Sequence, residues 1–132
     1  MSCWLVILLA ACGGRPAEFK LEESQWQLLD IGGQPVDFGL QAPTARFQSD
    51  GKLQGTSGCN SYFTTYQVKN GLLTLQMIAR TEMACPPANQ MDLEDRFIKA
   101  LGKIKGFQAH NQQLQLMNAA GEVLLTFEPI PK

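Results

Sequence analysis

The stretch from Gly58 to Pro86, GCNSYFTTYQVKNGLLTLQMIARTEMACP, constrains this chain more than any other, because it carries Cys59 near one end and Cys85 near the other. Between them, Tyr62–Val68 and Leu72–Met77 flank Lys69-Asn70-Gly71, and Asn-Gly between apolar runs is the strongest short-range signal for a hairpin. Pro86 and Pro87 follow at once and stop any strand, since neither donates to a ladder. If the two sulfurs meet, the segment leaving the hairpin must return to the bend that enters it.

Whether they are free to meet depends on the N-terminus. The chain has four cysteines, and the other two are Cys3 and Cys12. Trp4–Ala11 is an apolar run well short of the roughly 20 residues a spanning helix needs, and it ends in small residues, as the core of a signal peptide does. Leu9-Ala10-Ala11-Cys12 resembles a bacterial lipobox, after which the Cys becomes the acylated N-terminus. No Lys or Arg precedes Trp4, which points to a start upstream. The reading is a signal peptide over 1–11 and a lipidated N-terminus and tether over 12–24, with Cys12 the palmitate-bearing position. Cys3 then leaves with the signal, and the three connectivities of four cysteines reduce to Cys59 with Cys85, a bond that an exported, oxidising setting favours. Two inert buried thiols are the alternative. The bond would close a loop worth on the order of 3 to 4 kcal/mol in the chain-entropy model.

The remainder, 25–130, reads as one domain. Gln25–Ile31 has strand character, with Trp26 and Leu28 on one face, and Gly32-Gly33 ends it. Gln34–Thr44 reads as a loop with at most one short strand. Ala45–Gln48 and Lys52–Thr56 flank Ser49-Asp50-Gly51 as a second hairpin. Asn89 to about Lys103 is the one helix, with Asn89 as cap and Leu93, Phe97, Leu101 and Ile104 on one face. Lys105–Ala109, Gln113–Met117 and Glu122–Glu128 close the chain as a meander, its last strand apolar on both sides. Strands, one helix, then strands predict an α+β domain with a small, curved antiparallel sheet (a meander or half-barrel) and the helix packed against it.

Chemistry is sparse. The formal net charge is −1 with both signs interspersed, which excludes an electrostatic footprint for nucleic acid. The only histidine, His110, falls in a turn, and neither Cys59 nor Cys85 lies in a CxxC, so no catalytic residue, metal set or cofactor is expected. Asp92, Glu94 and Asp95 read as a solvated helix N-terminus, and Met77, Met83, Met91 and Met117 as fillers of core gaps, with the lining of an adaptable apolar pocket as the alternative. Asn60 and Thr81 read as structural hydrogen-bonding residues beside the cysteines.

Gly58-Cys59-Asn60 followed by Tyr62 and Tyr66, then Thr81-Glu82-Met83-Ala84-Cys85-Pro86, resembles a META domain, the family of HslJ-type heat-inducible bacterial lipoproteins. The resemblance runs from about Trp26 to Phe127 and singles out Gly58, Asn60, Tyr62, Tyr66, Thr81, Met83 and Pro86 as structural motif positions. It departs at Thr64, where the family pattern has a glycine, so a feature requiring positive φ at that position is not expected. The resemblance implies a small α+β fold, stress response and tolerance of envelope-active agents, and no biochemical activity. The combined expectation is a non-enzymatic cell-envelope protein, held to the membrane by its N-terminal lipid, in the outer membrane facing the periplasm if the host is diderm. Its partner would be an envelope protein or an apolar ligand. A carrier or chaperone for an acyl chain or apolar peptide, or an inhibitor of a wall-degrading enzyme, are the alternatives.

Overall fold

The computed structural model describes residues 20–36, 41–85 and 88–130. The signal segment, Cys12, the loop around Gly39 and Pro86 lie outside the described residues, as do the side chains of Ala88 and Asn89. The strands are β1 (Ser24–Ile31), β2 (Gln34–Pro35), β3 (Thr44–Phe47), β4 (Lys52–Thr56), β5 (Ser61–Lys69), β6 (Leu72–Leu75), β7 (Ala79–Arg80), β8 (Gly106–His110), β9 (Gln113–Met117) and β10 (Val123–Pro129). The helix α1 spans Ala88–Leu101.

Among the described residues the chain is α+β with a curved antiparallel sheet and one helix, as the pattern predicts, but the sheet is carried further round than a half-barrel. Its strands run β10-β9-β8-β6-β5-β4-β3-β1, and β1 pairs with β10 to complete a ring. The ring is not a barrel, because β6 and β8 share only the pair Leu72 and Gly106, supported by Leu73 N–H donating to Lys105 O at 3.0 Å. Register shifts between Leu28 and Asp30 on β1, and between Val123 and Leu125 on β10, supply extra residues that bend the strands. The last strand is central, flanked by β9 and β1.

Asn70 (φ 53°) and Gly71 (φ 77°) both adopt the left-handed conformation that a two-residue hairpin of this hand requires. Beyond it, Tyr66 pairs with Leu75 and Phe63 with Ala79, so Thr64 and Thr65 face three residues, Gln76, Met77 and Ile78. The extra residue is a bulge on the strand opposite Thr64, and Thr64 keeps an ordinary φ. Its hydroxyl donates to Gln76 O at 2.9 Å, binding a carbonyl of the distorted segment.

Inside the ring, Trp26, Leu28, Phe47, Leu53, Tyr62, Leu73, Phe97, Leu101, Leu114, Leu116, Leu125 and Phe127 form one buried cluster. Phe97 of α1 meets Tyr62 edge-on at 5.5 Å and Phe127 at 6.3 Å, an arrangement that ring quadrupoles favour. Aromatic rings therefore occupy the helix-to-sheet interface. Leu21, inside the stretch read as tether, joins this core.

Three expectations need correction. The helix begins one residue before Asn89, which is helical and not the cap, and it ends at Leu101, where Lys103 N–H and Ile104 N–H turn back to carbonyls three residues earlier. Met77 and Met83 are not core fillers: they are 92% and 56% exposed, Met77 because it sits in the bulge. Glu94 is not solvated but fully buried.

Candidate functional site

The family motif converges where the bend after β4, the segment after β7 and the second turn of α1 meet. Cys59 and Cys85 are disulfide-bonded, their Cα atoms 5.9 Å apart and 26 residues apart in sequence. Gly58, with φ 124°, makes the bend that turns Cys59 toward the other segment. A Cβ at this position would also lie 2.7 Å from Nε2 of buried Gln90 and displace that amide, but it is the backbone conformation that calls for glycine.

Asn60 is the hub. Its Oδ1 accepts from Thr81 Oγ1 at 2.9 Å and from Met83 N–H at 2.6 Å, while its Nδ2 donates to Met83 O at 3.2 Å and to Glu94 Oε2 at 2.8 Å. The side-chain amide thus pairs with both backbone groups of Met83, as a neighbouring strand would, and extends the attachment of β7 to β5 toward Cys85. Thr81 completes the link, its hydroxyl accepting from Ser61 N–H at 3.1 Å.

Glu94 terminates the network inside the protein. Its Oε1 accepts from Asn60 N–H at 2.9 Å and from the Ser57 hydroxyl, and its Oε2 from Asn60 Nδ2. Burying a carboxylate is costly unless its lone pairs are engaged, and here three donors engage them. Ser57 N–H donates to Asn60 O at 2.8 Å, which closes the 57–60 bend around the carboxylate. The arrangement is a clamp: one disulfide outside, one amide in the middle and one buried carboxylate from the helix.

The burial of Glu94 departs from the expectation of a solvated helix face, yet the sequence carries a signal of it. Gln90, Glu94, Phe97 and Leu101 recur at helical spacing, so Glu94 shares the stripe of Phe97 and Leu101. Beside the clamp, a hollow of about 240 Å³ opens between Met83 and Met91, with Asn60 and Glu94 among its lining and Arg80 at its margin. Arg80 pairs with Asp95 at 2.8 Å in a largely exposed contact of little energetic weight.

The remaining motif residues lie elsewhere. Tyr62 and Tyr66 are buried, their hydroxyls donating to Thr44 O at 2.6 Å and Gln48 O at 2.5 Å. Burial pushes the Tyr62 phenol far above its ordinary range; Tyr66 is raised by burial and, secondarily, by Glu22 and Asp50. Phe63, pointing outward between them, lines an open cleft of about 450 Å³ with Met77 and Gln54. His110 is exposed at the β8–β9 turn, 3.2 Å from the Asn111 amide. Among the described residues, no group of three or more His, Cys, Asp or Glu is placed to hold a metal.

Among solved structures, a protein from Burkholderia xenovorans determined by NMR is 29% identical, with a TM-score of 0.66 over 85% of this chain and 85% of its own. A second NMR structure is 25% identical, with a TM-score of 0.64 over 82% of this chain and 90% of its own. The crystal structure of a DUF4847 family protein from Bacteroides vulgatus shares the fold alone, at 13% identity and a TM-score of 0.57, covering 85% of this chain and 96% of its own. No curated protein matches. The META domain matches residues 19–129, the span that contains the disulfide, the Asn60 hub and the buried Glu94, and the chain belongs to the META domain family.

Proposed function

We propose that this is a non-enzymatic, lipid-anchored cell-envelope protein that supports stress tolerance or envelope maintenance through a binding surface on its META domain. The observation that carries the reading is the bond between Cys59 and Cys85, since disulfides persist in exported, oxidising compartments and are rare elsewhere. The lipobox at Leu9–Cys12 provides the route of export and the point of acylation. Gly13, and not Asp, follows Cys12, which favours the outer membrane of a diderm host.

Two features favour binding over turnover. The buried carboxylate of Glu94 has its acceptor sites occupied by Ser57 and Asn60, so it offers no free base to a substrate. The helix-to-sheet interface is filled by Phe97, Tyr62 and Phe127, so an acyl chain carried there would have to displace packed rings. The outer surface is left as the part that meets a partner.

Metabolic labelling with radioactive palmitate in a bacterial host, followed by fractionation, tests the reading. Label should enter a membrane-associated chain and be lost in Cys12→Ser, and thiol alkylation without reductant should leave Cys59 and Cys85 unmodified. Unlabelled protein in the cytoplasmic fraction with both thiols free would refute it.

A further inference from the structure

We infer that the end of the domain carrying Val68, Lys69, Leu72 and Lys105 rests on an anionic lipid surface; the inference builds on the lipid-anchor reading and adds a second, non-covalent contact to it. The chain enters the fold at this end. Lys20, Leu21 and Glu22 surround a hollow of about 310 Å³ together with Val68 and Phe107. Cys12 lies eight residues before Lys20, so the reach between acyl group and domain is at most about 29 Å of extended chain. A tether this short keeps the end of the domain from which it emerges close to the headgroups.

The surface there has the composition of an interfacial binder. Leu72 is 60% exposed and Val68 44% exposed, both beside the Asn70-Gly71 tip of the β5–β6 hairpin. Lys69 pairs in register with Leu72, Leu72 with Gly106, and Gly106 with half-buried Met117, so Leu72 and Met117 lie on the outer face of the β6–β8 seam beside Lys69, while Val68, paired with buried Leu73, opens on the inner face at the same rim. Lys20, Lys69 and Lys105 are exposed around it, and none of them joins an ion pair among the described residues. Among the described residues, Glu22 is the one carboxylate lining this hollow. Exposed aliphatic side chains ringed by lysines suit the boundary between acyl chains and anionic headgroups. A second copy of the chain fits this end poorly, since a two-fold contact would set the same lysines face to face.

The test uses the processed chain from residue 12 onward with Cys12→Ser, which contains every described residue and carries neither leader nor acyl group. Cosedimentation is measured with vesicles of phosphatidylglycerol and phosphatidylcholine in equal parts, and with phosphatidylcholine alone. Binding should require phosphatidylglycerol, weaken with salt, and fall roughly 30-fold in Lys69→Gln combined with Lys105→Gln, about fivefold per lysine. Leu72→Ser should also weaken it while leaving the unfolding temperature unchanged. No binding to the mixed vesicles, binding indifferent to these substitutions, or a dimer abolished by Leu72→Ser would each overturn the inference. The acyl group is absent from this protein, so failure here leaves the palmitate result standing, and loss of labelling with vesicle binding retained sinks the anchor alone.

Discussion

Replacing Asn60 by alanine removes one side chain from three elements at once, and the structure fixes what each loses. Glu94 Oε2 loses its 2.8 Å donor inside the protein, a bond to a charged group worth about 1.5–3 kcal/mol. Thr81 Oγ1, Met83 N–H and Met83 O lose partners at a half-exposed edge, where water replaces them at a cost of about 0.5 kcal/mol each. The sum is roughly 3–4.5 kcal/mol, a large share of the 5–15 kcal/mol typical of a domain. Asn60→Asp keeps the shape of the side chain but turns a carboxylate oxygen toward Glu94, so at neutral pH it should destabilise at least as much as alanine. Urea unfolding followed by the fluorescence of buried Trp26 measures both variants under oxidising conditions. An Asn60→Ala cost below about 1 kcal/mol, or an aspartate variant milder than alanine, would refute the assignment of Asn60 as the hub of the clamp.

Three further outcomes follow from the same structure. Removing the disulfide as Cys59→Ser with Cys85→Ser should lower stability by about 3.5 kcal/mol in urea, through the freed loop of the unfolded chain. Alkaline unfolding should track Tyr62: the unfolded phenol gives up its proton near pH 10 while the buried one retains it, so its contribution is full below that pH and then falls by about 1.4 kcal/mol per unit, a contribution that Tyr62→Phe removes while that of Tyr66, also raised, remains. Met77→Ser should change stability by no more than about 0.5 kcal/mol, because the side chain is almost wholly in solvent.

Local signals were legible wherever the chemistry is local. Asn70-Gly71 specifies its turn through backbone conformations that few other pairs adopt, and the Leu93, Phe97, Leu101 stripe specifies a helix with one buried face, Ile104 joining the core from the turn beyond it. The exposure of Met77 is not legible locally, because its apolar character says nothing of a bulge, which arises only when β6 and β7 both pair with β5 in registers one residue out of step. For Glu94 the local expectation is solvent, because carboxylates near a helix start are usually solvated. Only the bend at Ser57–Asn60, more than thirty residues earlier in the chain, provides the donors that make its burial tolerable.

The sequence by itself determined the hairpins, the helix and the two cysteines that meet, because turn chemistry, helical periodicity and cysteine arithmetic act over short stretches or leave few combinations. Tertiary structure alone decided that β1 returns to β10, that β6 and β8 meet at one pair, and that Glu94 is enclosed by the motif. Those outcomes depend on which distant edges and donors come to lie side by side, and no stretch of chain encodes its partners' positions.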